Sequence, residues 1–202
     1  MNKPVTHLAL AVCLTAVLLA GCASSPPVAY YSLYAPAQQA ALAPASAEGT
    51  MGVSVGPVVI PDILKQTQIA TGGADGRFRL AEYHRWSGEL DRDFARAVAE
   101  QLASGLGTEK VAIFPWDQHF TPTCRVLIDV LSMGGELGKE ATLAVRWSLV
   151  DPQGKLPPLV RRSELHETLD QAGYPAWVTA QQRNIAKIGQ EIAGTIKATL
   201  KP

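Results

Sequence analysis

Leu90, Phe94, Val98 and Leu102 recur at steps of four, and Ala97 and Leu106 extend the same stripe. That spacing lays an apolar face along one side of an α-helix over 88–107. Glu89, Asp91 and Asp93 crowd its first turns, where the helix dipole favours negative charge, and Gly107 is placed to end it. A second stripe, from Val178 through Gln181, Ile185, Ile188 and Ile192 to Leu200, predicts a longer helix over 175–200 that opens at Pro175. Elsewhere the period falls to two or the run is short and β-branched. "YYSLY" (30–34) and "VSVGPVVIP" (53–61) predict strands, and the Asp75-Gly76 pair predicts a hairpin over 66–83. Strands are also expected at 111–115, 125–133, 141–151 and 161–170; in the third, Leu143, Val145, Trp147 and Leu149 alternate with polar or small residues. Asp151-Pro152-Gln153-Gly154 reads as a turn, and the Ala-, Pro- and Gln-rich stretch 35–50 as a loop. The order strand, strand, hairpin, helix, four strands, helix predicts one α/β domain with a mixed β-sheet and two principal helices.

The N-terminus follows neither period. Leu8–Leu19 is apolar apart from Thr15, twelve residues against the ~20 a membrane-spanning helix needs. After the short basic start Met1-Asn2-Lys3 it fits the apolar core of an export signal. Leu19-Ala20-Gly21-Cys22 then resembles the lipobox of bacterial lipoproteins, in which the chain is cut before the cysteine and its thiol is acylated. This divides the chain into a signal peptide at 1–21, an acylated Cys22 with its spacer at 22–29, and a folded domain at 30–202. The eight residues 22–29 reach at most roughly 26 Å when fully extended. A single acyl chain binds membranes only marginally, but the three expected on such a cysteine would hold permanently. Ala23 and Ser24 follow, with no Asp. By analogy with lipoprotein sorting, this points to the outer membrane, with the domain on its periplasmic face.

Charge narrows the partners. Lys3 is the only charged residue before Cys22, so the chain from Cys22 onward carries 17 basic and 18 acidic side chains. A net of −1 gives no electrostatic footprint for nucleic acid. Once Cys13 leaves with the signal and Cys22 is acylated, Cys124 stands alone, so an internal disulfide is not expected. Cys124 opens the strand-like "CRVLIDV", the setting of a buried structural thiol.

Candidate catalytic sets fail one by one. "GGELGKE" (134–140) has Glu140 after Gly138-Lys139 where a phosphate loop needs Ser or Thr, and it joins strand to strand; a glycine-rich turn is expected. His84, His119 and His166 lack metal-ligand spacing. Ser132 and Ser148 lack a nucleophile-elbow context. No cofactor and no enzymatic activity are expected; a hydrolase would need Ser, His and an acid brought together by the fold. What stands out is "LAEYHRWSGEL" (80–90). Tyr83, Arg85 and Trp86 either wedge the first helix against the sheet or form a partner- or lipid-facing corner, since aromatics and Arg dominate interface hot spots.

These same segments carry a resemblance. "YYSL" soon after a lipobox, "VSVGPVVIPDIL", and "LAEYHRW" leading into the first long helix resemble the PqiC (YmbA) family of auxiliary lipoproteins of ABC-type, MCE-associated transport systems. The chain has Ile63 where members often carry an aromatic and Gln66 where they often carry Arg. The resemblance implies a three-layer α/β domain and an outer-membrane lipoprotein that meets the periplasmic end of an MCE-domain protein. A homo-oligomeric ring is one assembly it could form there. The runner-up is an envelope-integrity lipoprotein that binds another envelope protein or the cell wall without handling lipid.

Overall fold

The computed structural model describes residues 26–34, 51–73, 75–116 and 120–200. Cys22, the 35–50 loop and His119 lie outside these residues. The described strands are β1 (Ala29–Tyr31), β2 (Val53–Val59), β3 (Gln68–Gly72), β4 (Phe78–Trp86), β5 (Val111–Ile113), β6 (Cys124–Glu136), β7 (Glu140–Val150) and β8 (Leu159–Thr168). The helices are α1 (Leu90–Leu106) and α2 (Tyr174–Thr199), and a 3-10 turn at Asp62–Lys65 follows β2. This is the single α/β domain, with a mixed sheet and two principal helices, that the hydrophobic pattern leads one to expect.

The sheet forks at β6. Along one edge, β6 pairs antiparallel with β7, which pairs with β8. Along the other, its first residues run parallel to β2, itself parallel to β5, and its last residues meet β3 at Gly72 and Gly135. β3 carries β4 antiparallel, and β4 carries β1 parallel at the outer edge. Gly134 and Gly135 therefore belong to β6 and not to a turn; the turn is the short Leu137–Lys139 connection after them. Two strand backbones approach so closely at this fork that only glycine fits: a β-carbon on Gly134 would strike the Gly72 carbonyl, and one on Gly135, at φ +108°, the Glu140 carbonyl.

Both helices take one face of the sheet. α1 lies against β2 and β5, α2 against β7 and β8, and the two helices touch along their length. Small residues set that approach, because a β-carbon on Gly189 would meet the Gln101 side chain. The stripes read from sequence are the faces buried here, with Phe94, Val98, Leu102, Ile185, Ile188 and Ile192 at 1% exposure or less. Gln181, a polar residue within a stripe, is also buried. Its Nε2 donates to the Gly134 and Thr142 carbonyls at 2.9 and 3.1 Å, and Asn184 Nδ2 donates to Ala141 at 3.1 Å. These amides bind α2 to the backbone at the fork, where the irregular ladder leaves carbonyls to be satisfied.

Cover on the opposite face is partial. Ser54 of β2 is fully buried, and its cross-strand neighbour Arg125 lies 5.2 Å beneath the Trp116 ring. Across β6, β7 and β8 the same face is open, carrying Leu127, Val160, Arg162 and the Asp129–Arg146 ion pair at 3.5 Å.

One ion-pair cluster closes α2 onto the far edge. Arg183 Nε donates to Glu167 Oε2 at 3.0 Å, Lys187 pairs with the same carboxylate, and Arg183 Nη1 donates to Asp170 at 3.2 Å. The hydrogen bond from Lys187, followed by that from Arg183, holds the Glu167 carboxyl below its usual value of 4.5. A depressed carboxylate stabilises the fold above its unfolded pKa, and that stability is lost as pH falls through the lower folded value. Urea midpoints measured down the pH scale are expected to fall more steeply below about pH 4.5 in the wild type than in Glu167→Gln; parallel curves would remove this role.

Candidate functional site

β4 ends in an aromatic corner. The Tyr31 hydroxyl lies 2.8 Å from His84 Nδ1, and the His84 ring stacks on Tyr174 at 4.2 Å between centroids. Trp86 packs 6.4 Å from Trp177, whose Nε1 donates to the Gly134 carbonyl at 3.1 Å. Five rings from β1, β4 and the first turn of α2 thus join three chain segments far apart in sequence. Trp86 is buried, 5% exposed, and its ring packs on Trp177 of α2. Tyr83 and Arg85, by contrast, are half-buried on β4 itself. His84, which lacks metal-ligand spacing in the sequence, is part of the corner, a role visible only once β1 and α2 are beside it.

The same corner clamps the chain at Tyr31 and Ser32. Ser87 N–H donates to the Tyr31 carbonyl at 2.7 Å, so β1 is tied to the end of β4. The Ser32 hydroxyl donates to Asp93 Oδ2 of α1 at 2.6 Å, and Gln182 Nε2 of α2 donates to the Ser32 carbonyl at 2.9 Å. Asp93 is therefore more than a complement to the helix dipole; it is a buried acceptor for the incoming chain.

The other end of α2 holds a cavity. α2 has 26 residues, so about 39 Å separates its ends. There Thr123, Cys124 at the start of β6, Leu149 of β7, Leu156, Leu159 and Leu200 line an open pocket of about 370 Å³. Asp151 at its rim is occupied: backbone N–H groups of Gln153, Lys155 and Leu156 donate to its carboxylate. Those bonds, the one from Gln153 foremost, hold its carboxyl below the usual range, which suits a turn-builder and not a proton acceptor. Burial pushes the Cys124 thiol up to about 11. At pH 8 the folded protein is expected to resist iodoacetamide at Cys124 and to react within the same time once unfolded in urea, read by mass spectrometry. Equal rates in both states would overturn the structural assignment. Among the described residues, no three His, Cys, Asp or Glu side chains gather to hold a metal, and no helix is long and apolar enough to cross a membrane.

Residues 31–193 match the family model of the ABC-type transport auxiliary lipoprotein component. The chain belongs to that family. The match starts inside β1 and runs almost to the end of α2, so it covers the clamp, the fork and both helices. The family is one of envelope lipoproteins that accompany ABC-type transport, as the resemblance in "VSVGPVVIP" and "LAEYHRW" implied. No curated protein matches the chain. Among solved structures, an uncharacterised protein is 19% identical with a TM-score of 0.67 over 85% of this chain and 99% of its own. A Xanthomonas campestris protein is 15% identical with a TM-score of 0.61 over 75% of this chain and 86% of its own. At these identities the likeness shows the fold: the forked sheet with its helix pair is shared architecture.

Proposed function

We propose that this family member is a non-enzymatic accessory subunit held by acylated Cys22 on the periplasmic face of the outer membrane. There it meets an MCE-domain protein of an intermembrane lipid transport system and supports membrane integrity. The observation that carries this reading is the clamp. The segment that follows the proposed anchor is a three-residue strand paired with β4, and Ser32 just after it is bonded to α1 and α2, an arrangement suited to transmitting a membrane tether into the domain. Residues 1–21 serve as signal, 22–29 as anchor and spacer, and 30–202 as the working domain. Of the candidate contact residues, Trp86 is buried in the corner, and the proposed contact rests on the half-buried Tyr83 and Arg85.

The anchor is tested in cells by labelling with a radioactive fatty acid and separating the membranes on a sucrose gradient. Wild-type protein should carry label and band with the outer membrane; Cys22→Ser should be unlabelled and soluble in the periplasm. Unlabelled wild-type protein, or label in the inner-membrane band, would overturn the proposed attachment.

A further inference from the structure

Nine large apolar side chains are well exposed among the described residues, and four of them, Val28, Tyr30, Phe78 and Leu80, lie on or just before β1 and β4. Their placement follows from register. Tyr30 lies opposite Arg85, Arg85 opposite Gln68, and Leu80 opposite Ala70. Cross-strand partners share a face, and Gln68 and Ala70, two apart on β3, share theirs. Tyr30, Arg85 and Leu80 therefore project from one surface despite the bulge between them. The other surface of the same strands carries Tyr31 and Trp86 toward α2. Tyr30 is 63% exposed, Leu80 49% and Phe78 38%, which is more than isolated surface residues on a short edge sheet require. Arg85 shares this face and Arg77 lies at the hairpin tip, 4.0 Å from Asp75, while Arg79, between Phe78 and Leu80, alternates to the other surface. Arg85 is half-buried, its Nε shut away from solvent and without a hydrogen-bond partner.

What covers this surface is indicated by the chain before it. Tyr30 lies eight residues beyond Cys22, so acylation, on which this inference rests, confines it to within about 26 Å of the membrane plane. A surface tethered that closely meets lipid at a high effective concentration. Its chemistry suits an interface of that kind: a tyrosine and a phenylalanine at headgroup depth, a leucine beside them, and arginines whose stems follow apolar surface while their heads reach phosphate. We propose that the Tyr30–Leu80–Arg85 face of β1 and β4 lies against the phospholipid headgroups of the anchoring membrane and fixes the domain's orientation.

The test uses the full-length acylated protein. Leu80→Cys carries an environment-sensitive nitrobenzoxadiazole probe, with Val160→Cys on β8 as the control. Each is reconstituted on vesicles of phosphatidylethanolamine and phosphatidylglycerol that contain a headgroup spin-labelled lipid. The Leu80→Cys probe is expected to shift to the blue on vesicle binding and to lose emission to the quencher, while the Val160→Cys probe does neither. Protein that floats with the vesicles while its Leu80→Cys probe stays unshifted and unquenched overturns the inference and leaves the anchor standing. Failure of the acylated protein to float overturns the anchor and this face together. A Leu80→Cys shift that rises with protein concentration in the absence of vesicles assigns the face to a second copy and also overturns the inference.

Discussion

Replacing Trp177 by alanine is expected to cost more stability than any other single truncation at the corner. The ring is fully buried, packs on Trp86, and donates its Nε1–H to Gly134 at the fork of the sheet. Emptying such a site costs about 3–5 kcal/mol, a large part of the 5–15 kcal/mol that holds a domain of this kind. The loss also reaches β1, because Tyr31 is seated by the same cluster of rings. Trp177→Phe keeps most of the volume and loses the donor. The Gly134 carbonyl still accepts from Gln181, so the milder variant should fall between wild type and Trp177→Ala. Urea unfolding followed by circular dichroism checks the order. Equal midpoints for wild type and Trp177→Ala would mean the corner contributes little.

Gly134→Ala is expected to damage the fold through a different cause. The added methyl has no flexible neighbour to displace: it meets the Gly72 carbonyl, a backbone atom of β3 held by its own ladder. Overpacking of side chains costs about 1–3 kcal/mol, and a clash between two strand backbones should sit at or above the top of that range. β6 and β7 remain paired along their length, so the expected damage is separation of β3, β4 and β1 from β6. Amide hydrogen exchange should therefore quicken in Gln68–Gly72 and Phe78–Trp86 while Arg125–Val130 stays protected. Uniform exchange across both halves would show that the fork is not where the sheet divides.

How far the sequence foretold this depends on the kind of signal each feature leaves. The helices were legible because Leu90, Phe94, Val98 and Leu102, and then Val178 through Ile196, bury one stripe each against a sheet. β7 was legible because Leu143, Val145, Trp147 and Leu149 keep strict alternation over a half-buried surface. Gly134 and Gly135 looked like a turn because glycine pairs usually are; their true role is close approach of a third strand, a long-range fact with no local pattern. β4 ran on through Trp86 for a similar reason: its bulge opposite Ile69 breaks the period of two just where Tyr83 and Arg85 sit. The corner itself, with Tyr31, His84 and Tyr174 in contact, joins residues more than fifty positions apart, and residue types alone cannot place them together. The proposed lipobox, by contrast, needs no fold to be read, since it is a short contiguous signal.

The central claim is that a tethered, rigid domain meets a transport assembly at the membrane. Crosslinking cells that carry tagged full-length protein, then identifying by mass spectrometry what co-purifies from the outer-membrane fraction, tests it most directly. The account predicts recovery of an MCE-domain protein from the wild type and its loss from Cys22→Ser. Recovery of cell-wall or outer-membrane components alone would contradict it and assign the protein to envelope structure instead.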